Sequence, residues 1–299
     1  MNFPRSLIRG NIILGEKLEC HTSFRIGGPA AIWAEPLDVK DLKRLVTKAR
    51  EKGIPTFVIG GGTNVLARDE GFNGIVINLG SGSFKNIRVS QTTVRVGAGY
   101  GVPALVRLCC DKGLGGLESL IGIPGTVGGA VYMNAGGSSS PLYKNIGDYI
   151  TRLKVMDSKG NIRVLNKQAL SFGYRFSNLS GYIILETDLR LAREESPALK
   201  SRCSKFLKMK RDKQVLDMPS AGCVFKNPKD SQFTTAQMID MLGLKGRAMG
   251  GAQVSRKHAN FIINRGRASC KDVLKLVDII KKKVMDNYNI SLELEIKII

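Results

Sequence analysis

The placement of glycine limits what this chain can build more than any other feature of its sequence. Of 299 residues, 34 are glycine, and the dense blocks are Gly27-Gly28, Gly60-Gly61-Gly62, Gly97/Gly99/Gly101, Gly113/Gly115/Gly116, Gly122/Gly125/Gly128/Gly129 and Gly136-Gly137. All of these lie in the first half. Without a Cβ, backbone can press closely against another group. The first half therefore brings its backbone close to something.

Periodicity reads as an α+β succession. Val39, Leu42, Leu45, Val46 and Ala49 keep helical spacing, which predicts a helix over 39–52 closed by Gly53. Residues 55–59 read as a short buried strand entering the first triple glycine, with further strands at 74–79 and 92–96. A helix over 103–112 follows, Pro103 sitting in its first turn. Segments 152–156 and 161–165 flank Asp157-Ser158-Lys159-Gly160 as a hairpin, and 182–191 is a strand. The polar stretch 192–198 reads as a linker. Beyond it lie a basic helix at 199–213, a short helix at 235–242 ended by Gly243, and a long amphipathic helix at 271–287. A last strand at 290–299 alternates apolar and polar faces. The expected division is a Gly-rich domain over 1–194 and a smaller α+β domain over 195–299.

Lysine and arginine number 46 against 25 acidic residues, a formal charge of +21. Such a balance suits nucleic acid, an acidic membrane surface or phosphate-rich small substrates, and equally a solvated surface with no partner. Aromatic residues are 6% of the chain and are not interleaved with the basic clusters at 205–213 and 281–283, as a base-stacking platform would need. No apolar run approaches the roughly 18 residues of a membrane span, and residues 1–9 carry no secretory pattern. The six cysteines, Cys20, Cys109, Cys110, Cys203, Cys223 and Cys270, form no C-x-x-C pair, and only His21 and His258 could join them. No metal set is expected, and a reduced, cytoplasmic protein is.

Two loops carry the chemistry. In Val58-Ile59-Gly60-Gly61-Gly62-Thr63-Asn64 a strand enters consecutive glycines, which frees backbone N–H groups to converge on an anion. It is neither a P-loop nor the G-x-G-x-x-G fingerprint, and taken alone it is also what a tight turn requires. The second is Gly122-Ile123-Pro124-Gly125-Thr126-Val127-Gly128-Gly129-Ala130, followed by Asn134-Ala135-Gly136-Gly137. Two such loops in one domain favour a large, phosphate-bearing cofactor.

These loops, with Thr22-Ser23-Phe24-Arg25-Ile26-Gly27-Gly28, Ser220-Ala221-Gly222-Cys223-Val224-Phe225-Lys226-Asn227-Pro228, Lys257-His258-Ala259-Asn260-Phe261-Ile262-Ile263-Asn264 and Leu292-Glu293-Leu294-Glu295-Ile296-Lys297, resemble the motif series of UDP-N-acetylenolpyruvoylglucosamine reductases in order and over nearly the whole chain. The resemblance implies an FAD-binding domain of the vanillyl-alcohol-oxidase (PCMH) type in two lobes, split near residue 82, and a smaller C-terminal α+β substrate domain. The last strand is then free to return to the first lobe. It further implies the shorter, type II form, non-covalent FAD, and NADPH as hydride donor. The implied reaction reduces UDP-N-acetylglucosamine enolpyruvate to UDP-N-acetylmuramate in peptidoglycan precursor synthesis.

Site roles follow from the same resemblance. Gly60, Gly61, Gly62, Thr63, Asn64, Gly122, Gly125, Thr126, Gly128 and Gly129 are expected at the cofactor. Arg175, in Tyr174-Arg175-Phe176-Ser177, is expected beside the substrate carboxylate, where its fork binds two oxygens. Glu295 would polarise the intermediate or relay a proton. Cys223 occupies the position of the proton donor, where relatives more often have serine; a thiol gives up its proton more easily than an alcohol. Its bland alternative is a small core residue. Tyr174, Lys226, Asn227, His258 and Arg211 are expected on the substrate side, Arg211 or Lys213 meeting the pyrophosphate. Against these stand a solvated helix face for Arg211 and Lys213 and a structural hydrogen bond for His258. Cys109 and Cys110 read as core. Val215, after Gln214, stands where relatives often carry proline. Two rival readings remain, a flavin oxidase of the same fold and a basic nucleic-acid-binding protein.

Overall fold

The computed structural model describes residues 4–136 and 144–299, so Gly137 and the start of the opening segment lie outside the described residues. The chain forms two compact units. The first takes residues through Leu14, Ala31–Gly61 and Asn73–Lys210; the second takes Gly15–Ala30, Gly62–Phe72 and Arg211–Ile299.

In the first unit, helix α1 (Val39–Glu51) begins where Asp38 accepts the N–H groups of Lys40 and Asp41, satisfying two of the donors that a helix start leaves open. Its stripe of Leu42, Leu45, Val46 and Ala49 is buried. It packs with the four-stranded sheet ordered Asn11–Lys17, Pro29–Glu35, Phe72–Asn78, Thr56–Ile59. A second, antiparallel sheet is ordered Ile162–Asn166, Ile150–Asp157, Tyr182–Arg190, Thr93–Gly97, Ile87–Ser90. The expected hairpin is present, with Ile162 opposite Met156 and Gly160 at φ +80° in its turn. Helices α2 (Val102–Asp111) and α3 (Val127–Tyr132) complete the unit's core. Asp188 ties three strands of the second sheet, accepting Arg95 Nε at 2.8 Å and Arg152 Nε at 2.9 Å. Burial alone would push its carboxyl up, but the two guanidinium groups prevail and hold it below the usual range.

Residues 192–198 are not a linker. Ala192–Arg193 pairs with Leu114–Gly115, and α4 (Ser196–Lys213) has already begun, because Pro197 suits a first helical turn.

The second unit is organised by α6 (Cys270–Tyr288), whose Val273, Leu276, Val277, Ile280 and Val284 are buried. They share a core with Phe24, Ile26, Leu66 and Phe225. Ser269 and Asp272 form a capping box, and Asp69 accepts the N–H groups of Cys270 and Lys271. This shared core is why residues 15–30 and 62–72 group with the C-terminal residues, although composition changes only near 195. Helix α5 (Thr235–Met241) and a three-stranded antiparallel sheet, Ala248–Met249, Ala252–Val254 and Ile262–Asn264, pack on the same core.

The C-terminal strand expected over 290–299 is regular only at Lys297–Ile298, which runs parallel to Val65–Leu66. Upstream, Lys226 N–H donates to Glu293 O and Glu295 N–H to Val224 O. A segment that changes partner halfway cannot keep one ladder.

Candidate active site

The triple glycine sits at the end of Thr56–Ile59, which pairs in parallel with 75–78, Ile59 lying opposite Asn78. The Asn78 side chain donates to Ile59 O at 3.2 Å and Gly60 O at 3.0 Å. In a trans peptide the C=O and the next N–H point opposite ways, so these bonds turn the N–H groups of Gly60 and Gly61 away from Asn78. The second loop meets this one within the first unit: a Cβ on Gly60 would lie 2.4 Å from Thr126 Oγ1. Thr126 also caps α3 by accepting Gly129 N–H.

Hydrogen bonds tie the backbone of that loop to its neighbours. Gly125 O accepts Val102 N–H at 3.0 Å, and Gly128 N–H donates to Ala98 O at 2.8 Å. The Gly122 carbonyl accepts the Lys210 ammonium. A Cβ on Gly128 would stand 2.9 Å from the Ala98 Cβ. Gly128 is thus glycine because Ala98 lies against it. Gly128→Val is expected to destabilise the protein by about 2–3 kcal/mol through overpacking, read by denaturant unfolding of the flavin-free protein. Unchanged stability would show that the contact has slack.

Tyr174 and Arg175 form the turn between Phe172–Gly173 and Phe176–Ser177, held by Ser177 Oγ donating to Tyr132 O at 2.7 Å. Arg175 is half-buried with φ +52°, a left-handed conformation that costs a side chain about 1–2 kcal/mol. Its Nη1 donates to Gly136 O at 3.3 Å, and its guanidinium lies 5.3 Å from the Tyr174 ring centroid. Backbone held this way by its surroundings is typical of functional positions.

The other expected residues lie in the second unit. Ser23 accounts for the Gly62 end of the first loop: its N–H donates to Gly62 O at 3.1 Å and its Oγ to Ser220 O at 2.7 Å. Thr63 and Asn64 follow, both half-buried, and Asn64 Nδ2 donates to Glu295 O at 3.1 Å. Cys223 is half-buried, bridges to Phe261 and packs against the cluster of Val215, Phe261 and Ile263. Lys226 Nζ donates to Glu293 at 2.9 Å, a bond that holds the Glu293 carboxyl below its usual range. Asn227 Oδ1 accepts Thr235 N–H at 3.0 Å. Arg211 is exposed near the end of α4, where its carbonyl accepts the Lys257 ammonium.

His258 stacks against Phe261 with ring centroids 4.7 Å apart. Its Nδ1 is shielded from solvent with no hydrogen-bond partner among the described residues. Burial, and then the charge of Lys245, keep its pKa below the ordinary value.

Three positioning side chains carry no role in the sequence reading: Ser23, Asn78 and Asn260. Asn260 is buried, accepts Phe225 N–H at 3.0 Å and donates to Phe225 O at 2.8 Å. The available signal was an asparagine set within an apolar run, Ala259-Asn260-Phe261-Ile262-Ile263, since a buried amide needs partners. Among the described residues, no group of three His, Cys, Asp or Glu gathers to hold a metal ion, and no helix is long and apolar enough to cross a membrane.

Two family models match: an FAD binding domain over residues 30–166 and the C-terminal domain of UDP-N-acetylenolpyruvoylglucosamine reductase over residues 214–299. The chain is 38% identical over 301 aligned residues to that reductase of Clostridium botulinum, covering 100% of this chain and 96% of the relative. It is 39% identical to that of Pelobacter propionicus, covering 100% and 99%. The crystal structure of the Thermus caldophilus reductase matches with a TM-score of 0.81 at 34% identity, over 97% of this chain and 99% of that one. A 6-hydroxy-D-nicotine oxidase from Arthrobacter nicotinovorans, 17% identical with a TM-score of 0.51 over 98% of this chain and 63% of that one, shares the fold alone. The fold class is thereby the expected one, an FAD-binding domain of the PCMH type with an α+β C-terminal domain.

Proposed function

The chain belongs to the UDP-N-acetylenolpyruvoylglucosamine reductase family, and from that membership we propose that it reduces UDP-N-acetylglucosamine enolpyruvate to UDP-N-acetylmuramate, with NADPH as donor and FAD as carrier. The step belongs to peptidoglycan precursor synthesis in the cytoplasm. What carries the reading is a single chain, aligned end to end with these reductases, that holds both the FAD-binding domain and their C-terminal domain. The first unit fits a dinucleotide cofactor. Asn78 turns the Gly60 and Gly61 N–H groups away from itself, and the capped Thr126 loop abuts them, as a diphosphate cradle needs. Bound there, FAD supplies hydride transfer from NADPH to the enolpyruvyl carbon distal to the carboxylate.

The protein's own groups handle charge and proton. The Arg175 fork binds the substrate carboxylate and offsets the negative charge that grows there as hydride arrives. The Cys223 thiol donates its proton to the α-carbon, and Glu295 polarises the intermediate. His258, kept neutral by burial, offers Nδ1 as a hydrogen-bonding group to substrate. Tyr174, Asn227 and Arg211 complete the substrate contacts. Lys226 is paired with Glu293, so its use on the sugar nucleotide exchanges one anion for another.

The testing experiment is anaerobic. NADPH should bleach the bound flavin, and enolpyruvyl-UDP-N-acetylglucosamine should restore its colour without oxygen. A protein that takes up no FAD, or whose reduced flavin ignores the substrate, would refute the reading. Both substrates are polyanions and the chain carries +21, so KM for each should rise severalfold between about 50 and about 300 mM salt. Flat KM values would make that charge surface background.

A further inference from the structure

Residues 64–68 run beside the C-terminal segment as a parallel ladder. Arg68 N–H donates to Ile299 O at 2.8 Å, Ile299 N–H to Leu66 O at 3.1 Å, and Lys297 N–H to Asn64 O at 2.9 Å. In parallel pairing the next rung would run from Asn64 N–H to Glu295 O. That carbonyl accepts the Asn64 side chain instead, at 3.1 Å. On its other edge Glu295 N–H donates to Val224 O at 2.8 Å, and Val224 directly follows Cys223. The Glu295 peptide is therefore tied on one side to the residue after the thiol and on the other to the residue that ends the glycine loop.

We propose that Asn64 is a positioning residue: its side-chain amide takes the last rung of the ladder and holds Glu295 in register with the segment Cys223–Phe225. The residue type matches the task. A side-chain donor one carbon from Cα reaches the rung its own N–H would otherwise fill; aspartate has no donor when ionised, and glutamine is a methylene longer. The inference rests on the reductase reading, because the placement of Glu295 affects rate only if it acts on substrate.

The test uses FAD-loaded Asn64→Asp and Asn64→Ala proteins. FAD affinity by fluorescence titration and flavin reduction by NADPH should stay near wild type. Reoxidation by the enolpyruvyl substrate should slow by roughly 10- to 100-fold, the scale of a misplacement of about 1 Å. In a Glu295→Gln background, Asn64→Asp should cost no more than about twofold further, since one residue acts through the other. Amide exchange at residues 295–297 should quicken in both variants and reports on the tie without any turnover; should Asn64→Ala not fold, the near-isosteric Asn64→Asp carries the same comparisons. Weakened FAD binding with a normal reoxidation rate at saturating FAD would make the side chain a cofactor ligand and overturn the proposal. A full, multiplicative loss in the Glu295→Gln background would overturn it too. A wild-type protein that binds no flavin would sink the reductase reading instead, and unchanged exchange at 295–297 would still decide against the tie.

Discussion

Replacing Cys223 with alanine should leave the reduction of bound flavin by NADPH near the wild-type rate while product formation slows by about 10²- to 10⁴-fold, the range that a positioned general acid contributes. Hydride arriving at the carbon distal to the carboxylate leaves an electron pair at the α-carbon, and that carbon must gain a proton for product to form. Cys223 has the access this needs: it is half-buried, follows Gly222 at φ +79°, and lies two residues before Phe225, whose backbone Asn260 clamps. After donation its thiolate regains a proton from solvent, and the enzyme returns to its starting state. Cys223→Ser should stay within about tenfold of wild type, because a hydroxyl of similar size can donate at the same point. Stopped-flow measurement of each half-reaction in deuterated solvent separates the steps. An alanine variant with wild-type turnover would remove Cys223 from the chemistry and pass the acid role to Glu295.

The second large effect is at Arg175. Arg175→Lys keeps the charge but cannot make the two-pronged contact proposed with the substrate carboxylate, so reoxidation of flavin by substrate should slow by about 100-fold or more. Reduction by NADPH should change much less. Arg175→Gly adds a complementary result. Its φ of +52° is costly for arginine and free for glycine, so relief of about 1 kcal/mol is expected, set against the lost bond to Gly136. A variant as stable as wild type, or more so, yet defective only in the second half-reaction would mean that the strain is retained for function. Equal loss in both half-reactions would instead make Arg175 a structural residue.

Local rules made much of this legible in advance. Helices α1 and α6 show their apolar stripes and their caps within a few residues of sequence, and the hairpin at Asp157-Ser158-Lys159-Gly160 carries its own turn. The glycine loops and the motif series named the family because such spacing survives without any knowledge of the fold. Boundaries were weaker at 192–198, where polar composition concealed a strand pair and the start of α4.

What tertiary structure alone decided concerns partners distant in the chain. Phe24, Ile26 and Leu66 bury with α6, so the compact units interleave where composition showed a single break. Gly128 looked like a residue making room for phosphate, and its nearest obstacle is Ala98. Asn64 stands in a cofactor motif, and the structure adds that its side chain donates to the carbonyl of a residue 231 positions away. Periodicity and capping act over a turn of helix or a few residues of strand, so a single sequence displays them. Which apolar surface covers which, and which carbonyl a side-chain amide reaches, depends on chain closure over hundreds of residues, and only the packed structure resolves that competition.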